Sequence, residues 1–151
     1  MSNFRTFMEH LAPPPQDLSD PICFVAGEFV FLAVGCANCH SAAPFVTPAR
    51  PFNGVPGNFT FFPFSDFALH DMGSLGDGIG NTGDPAATTR QMRTSPLWGA
   101  RFNTQFLHDG RAKTVRAAIL AHDGQGLAAR NAFAALDPIS QALLLKFVNS
   151  I

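Results

Sequence analysis

The chain has 151 residues, enough for one domain with a real core. Hydrophobic residues make up 46% and charged residues 14%, with sixteen Phe, no Tyr and one Trp, a composition that suits either a wrap around a large apolar cofactor or simply a Phe-rich core. The net charge of -1 gives no electrostatic case for nucleic acid or an anionic membrane, and the longest apolar stretch, Ile22 to Gly35, is interrupted by Glu28 and too short to span a bilayer.

Met1 to Leu11 carries Arg5, Glu9 and His10 and so lacks the apolar stretch of a signal peptide. Its Phe7-Met8-Glu9-His10-Leu11 repeats the pattern of Phe147-Val148-Asn149-Ser150-Ile151 at the other end of the chain. Two readings stand. The segment is the last helix of a preceding, similar domain, with Pro13-Pro14-Pro15 as the stiff linker after it, or it is a short amphipathic helix stopped by prolines. Either way residues 1–15 form a helix and linker, and residues 16–151 form the domain proper.

Asp20-Pro21 opens the first long helix as N-cap and first helical residue. Gly27, Phe31 and Gly35 recur every four residues on one face, where small side chains permit close helix contact. The run delivers Cys36-Ala37-Asn38-Cys39-His40, the spacing of a c-type haem attachment site. Two thiols one turn apart can bond both vinyl groups of one porphyrin edge, which leaves the next histidine under the iron as axial ligand. A thioredoxin-like dithiol needs a βαβ setting that Pro21 to Val34 does not supply. A structural zinc site needs a second ligand pair, and Cys23, the remaining cysteine, sits in the apolar run Ile22 to Val25 as a small hydrophobe. The reading is one covalent haem c held by Cys36, Cys39 and His40. Such haem is attached outside the cytoplasm in bacteria, so a periplasmic or otherwise exported location is expected, with no signal peptide in this chain.

From Ser41 to Thr89 the chain is rich in Gly, Pro, Asn and Asp, with Phe45, Phe52, Phe59, Phe61, Phe62, Phe64 and Phe67 interleaved. That composition argues for a long irregular stretch. A loop of such length needs a reason, and covering a haem face with aromatic side chains would be one. The sixth iron ligand is sought among His70, Met72, Met92, His108 and His122. Thr114 to His122 reads as a helix with Thr114 as N-cap, Val115, Ala118, Ile119 and His122 on one face, and Gly124 after its end. His122 closes that apolar stripe, where an imidazole needs a polar partner. Asp137-Pro138 opens the last helix, with Leu143, Leu144, Phe147, Val148 and Ile151 as its apolar stripe, and this helix is expected to pack on the first long one.

Three segments, Phe64 to Gly73, Arg93 to Gly99 and Phe106 to Ala112, resemble the bacterial di-haem oxidoreductases, a peroxidase-like family also called thiol oxidoreductases and related to di-haem cytochrome c peroxidases. The resemblance runs from about Phe4 to Ile151 and implies the C-terminal haem domain, since the family carries a further N-terminal haem domain where peroxide would bind. In the related peroxidases a His-Asp-Gly motif is followed, fourteen residues after its histidine, by the methionine ligand of the C-terminal haem. From His108 the same step lands on His122. Ser95, where proline is usual in the family, and Phe64, where tyrosine is, depart from the pattern.

The resulting expectation is an all-α, cytochrome-c-like domain with long irregular loops, carrying one haem ligated by His40 and His122. Electron transfer is its direct activity, with a redox partner protein or a second haem domain as partner. The alternative is the electron-receiving half of a di-haem peroxidase-like oxidoreductase whose catalytic haem domain lies elsewhere. Hydrogen bonds that fix loops are expected of His70 and His108. One or two of Arg90, Arg93, Arg101 and Arg111 would meet haem propionates, Arg93 foremost, and Trp98 would lie near the haem edge.

Overall fold

Asp20 accepts a hydrogen bond from the backbone N–H of Cys23 and starts the longest helix, with Pro21 in its first turn. Asp137 does the same for the last helix through the N–H groups of Ile139 and Ser140, and Thr114 for a third through that of Ala117. In the computed structural model, which describes residues 2–49, 55–80, 83 and 85–151, these signals lead to five α-helices. They are α1 (Ser2–Glu9), α2 (Pro21–Ala33), α3 (Val115–Ala121), α4 (Leu127–Ala135) and α5 (Pro138–Val148).

Helices α2 and α5 form the most extensive contact between elements, as the sequence led us to expect. Gly27 is the reason they approach closely, because a Cβ there would lie 2.3 Å from the Leu143 carbonyl oxygen and 2.6 Å from Phe147 Cβ. Around this crossing Phe31, Phe133, Leu144, Phe147 and Ile151 are fully buried. Phe147 packs edge-on against Phe24 and Phe64 at 5.1 and 5.7 Å. Lys146 on α5 pairs with Asp20 at the start of α2. The opposite face of α2, with Ile22, Val25, Phe29 and Leu32, is exposed, as are Phe4, Phe7, Met8 and Leu11 on and after α1. The linker after α1 is fastened to the end of the chain: Arg101 donates to the Pro15 carbonyl, and the Asp17 N–H donates to that of Ser150.

The expected all-α, cytochrome-c-like architecture is corrected by the structure, which is mixed. Between α2 and α3 lie two antiparallel two-stranded sheets. Strand β1 (Phe45–Val46) pairs with β2 (Thr60–Phe61), and β3 (Leu69–Asp71) with β4 (Gln91–Arg93), His70 standing opposite Met92. Backbone polar groups that cross a partly buried surface must find partners, and here they find them in ladders of two or three residues. Segments that short show no period-two run in the sequence, which is why the stretch reads as irregular. The fourth helix, α4, is also an addition to the sequence reading.

Candidate haem site

Gly35 leaves α2 with φ of 87°, a conformation glycine adopts freely. This turns the chain into the short 3₁₀ turn Cys36–Asn38, which places Cys36, Cys39 and His40 on the wall of one cavity. The cavity holds about 480 Å³, within the range of small-molecule and cofactor sites. His122 lines it too, with the apolar side chains of Phe31, Leu97, Ile119 and Leu144.

His40 donates from Nδ1 to the Phe64 carbonyl at 3.1 Å, and His122 donates from Nδ1 to the Ala118 carbonyl at 2.7 Å. A carbonyl can only accept, so each Nδ1 carries the ring proton and each Nε2 keeps a bare lone pair. The two rings have centroids 6.4 Å apart and planes at 55°. Two imidazoles bound end-on to one metal through bonds of ~2.0–2.1 Å put their ring centres about 6 Å apart. The observed centre-to-centre distance matches that spacing. Burial pulls the His40 pKa down to about 4, opposed by its hydrogen bond to Phe64 and reinforced by His122, so His40 is neutral at physiological pH, the form a metal ligand needs.

The Phe64 carbonyl is aimed by an unusual backbone. Phe64 has φ of 53°, in the left-handed region a bulky side chain avoids. Its ring is buried edge-on between Phe31 and Phe147, which fixes the residue despite the strain. Beside it, fully buried Ser65 donates from Oγ to the Thr94 carbonyl at 2.8 Å and accepts from the Phe67 N–H at 2.9 Å. In the sequence Phe64 stands out as one of the loop phenylalanines and as a departure from the family pattern, not as a residue whose carbonyl positions a histidine. Its backbone role carries no residue-type signal.

None of the three cysteines is joined in a disulfide. Burial pushes Cys36 up to about 11 and also raises Cys39, to which the Asp66 carboxylate adds. A redox dithiol or a zinc pair works through thiolate, and these environments favour the neutral thiol. Cys39 Sγ, Asp66 and His70 do bring ligand atoms within 4.8 Å of one another. A hydrogen bond of 2.8 Å from His70 Nε2 to Asp66 Oδ2 accounts for two of the three, and it is the loop-fixing contact expected of His70.

The other candidates divide. His70, Met72, Met92 and His108 all line the cavity, but the neighbouring imidazole pair is His40 and His122. Arg93 lies on the cavity wall, exposed, with its guanidinium 5.9 Å from the Phe67 ring centre. Arg90 pairs with Asp71, Arg111 with Asp109, and Arg101 with backbone carbonyls of the linker and C-terminus. Trp98 stands apart from the cavity-lining residues, its ring 5.8 Å from that of Phe61. Phe61 also stacks with Phe45 and Phe59, and Phe45 meets Phe67. Phe45, Phe59, Phe61 and Phe67 thus form a cluster that reaches Trp98 through Phe61, Phe64 joins the core, and among the described residues the cavity's phenylalanines are Phe31 and Phe106. Phe52 lies outside the described residues.

A family model described as "Di-haem oxidoreductase, putative peroxidase" matches residues 6–151. The chain belongs to the di-haem oxidoreductase family. Its cofactor class is therefore haem and its chemistry oxidation and reduction, in agreement with the neighbouring imidazoles and paired thiols. Neither a curated protein nor a solved structure matches the chain.

Proposed function

We propose that this chain is a one-haem electron-transfer domain of a di-haem oxidoreductase. Cys36 and Cys39 would hold the haem through thioethers, and His40 and His122 would ligate its iron. The observation that carries this reading is the pair of imidazoles 6.4 Å apart, with both Nε2 atoms bare, in the cavity that also holds both thiols. Bound haem supplies a one-electron iron couple. The protein's part is to orient both imidazoles through the Phe64 and Ala118 carbonyls, to keep His40 neutral by burial, and to set apolar side chains around the cofactor. Iron held by both imidazoles would have no open position for peroxide. Peroxide chemistry needs a vacant iron position and an acid-base group beside it, so a second haem domain performs it, and this chain passes electrons to or from that domain.

One Cys-x-x-Cys-His in a chain of di-haem family supports placement as the C-terminal haem domain. The exposed apolar faces of α1 and α2 are surfaces that a second domain would cover, α1 being then the closing helix of that domain. Covalent haem implies export, and among the described residues no helix is long and apolar enough to cross a membrane. Replacing His122 tests the site: the haem-loaded His122→Ala protein should lose its low-spin spectrum and bind added cyanide readily. The assignment is wrong if that variant keeps the low-spin spectrum while His70→Ala or His108→Ala loses it.

A further inference from the structure

We infer that the segment from Asp71 to Ser74 is a latch that holds His122 in its ligating position, with Asp123, Gly124 and Gln125 as the receiving half; this rests on His122 being the distal ligand. The need for a latch follows from where His122 sits. It is the C-cap of α3, with φ of -57° and ψ of 137°, so the backbone leaves helical geometry at the ligand itself. α3 holds His122 itself through the Ile119 and Ala118 carbonyls but gives no support to the chain beyond it.

The support comes from across the molecule. Asp123 Oδ2 accepts from both the N–H and the hydroxyl of Ser74, at 3.0 and 2.7 Å. Gln125 Oε1 accepts from the Asp71 N–H at 2.7 Å. Between these bonds the two backbones touch: at Gly124, whose φ is 55°, a Cβ would lie 2.3 Å from the Asp71 carbonyl oxygen and 2.7 Å from the Gly73 nitrogen. The Met72 methyl and the Cδ2 of His122 converge over Gly126, lying 3.2 and 3.1 Å from the place a Cβ would occupy there. The latch is itself anchored, since Asp71 is the last residue of β3, pairs with Arg90 at 2.9 Å, and is followed by Met72, whose N–H donates to the Arg90 carbonyl. The β3–β4 ribbon thus fixes the backbone that follows the imidazole. This gives the His70-Asp71-Met72-Gly73 run a role other than ligation: Asp71, Met72 and Ser74 are positioning residues for His122.

The test compares haem-loaded Asp123→Ala, Asp123→Asn and Gly124→Ala with wild type, following the low-spin fraction of the ferric spectrum and the rate of cyanide binding. Asp123→Ala should bind cyanide about tenfold faster, the change expected on losing hydrogen bonds to a charged group. Asp123→Asn keeps an oxygen acceptor for Ser74 and should restore most of the wild-type rate. Gly124→Ala forces the backbones apart and should give the largest high-spin fraction. Wild-type cyanide rates and spectra in both Asp123→Ala and Gly124→Ala would overturn the latch, and if Gly124→Ala does not fold, Asp123→Ala decides alone. A His122→Ala protein with an unchanged spectrum would instead remove the ligand assignment beneath it.

Discussion

At the scale of single residues the site is two histidines made alike by their backbone partners. Each gives its Nδ1 proton to a carbonyl, Phe64 for His40 and Ala118 for His122, so each offers the same nitrogen to the same space. Such hydrogen bonds fix the tautomer and raise ligand basicity. The consequence is measurable in the redox potential, since imidazole favours ferric iron more than a thioether does and Met/His ligation raises the potential of cytochromes c. His122→Met should therefore keep a low-spin, six-coordinate iron and be easier to reduce than wild type in a spectroelectrochemical titration. An equal or lower potential would show that residue 122 does not ligate. The His40 side of the site was legible because Cys-x-x-Cys-His is a local motif. His122 was legible because a helical stripe ends on it. The Phe64 carbonyl was not, because any residue type supplies a carbonyl, and what matters here is a φ of 53° held by aromatic neighbours.

At the scale of elements the caps were readable and the ladders were not. Asp20, Thr114 and Asp137 each announce a helix by a side chain that needs no tertiary context, and each caps one. Helix α4 starts at Gly126 with no side-chain cap and buries Phe133 alone, so the sequence Gly124 to Ala135 offers neither a start signal nor a stripe. The α2–α5 crossing makes two predictions. Gly27→Ala adds a better helix former, worth about 1 kcal/mol in an isolated helix, yet the Cβ has no room between Leu143 and Phe147. Overpacking costs about 1–3 kcal/mol, so denaturant unfolding should show a net loss of stability, whereas a gain would mean the helices part without penalty. Asp20 ties the same two helices together. Hydrogen bonds from Lys146 first, then from the Cys23 N–H, hold its pKa at about 2, below the usual 3.8. A folded-state pKa below the unfolded one stabilises above the unfolded value and loses that contribution as pH falls through the folded one. The stability difference between wild type and Asp20→Asn should thus be full above pH 4 and gone near pH 2. Because both side chains are exposed the difference is small, and one that stays constant across this window would exclude the ion pair as its source.

At the scale of the whole molecule the account joins a di-haem family to a chain with one attachment motif. The fold places that motif at the end of α2 and His122 at the end of α3, and the cavity that both line also draws on β3, β4, α4 and α5. Its aromatic richness, read from composition as cover for a cofactor, is divided in fact between a core around Phe31, Phe64 and Phe147 and a separate cluster around Phe61 and Trp98. Composition counts side chains but not the faces they turn to. The central claim is that one haem is bonded to Cys36 and Cys39, and the intact mass of the matured chain after acidified acetone treatment tests it most directly. The account predicts polypeptide plus one haem, with the haem retained on the peptide that contains Cys36 to His40 and Cys23 unmodified. A chain stripped to the bare polypeptide mass by the acetone would contradict it.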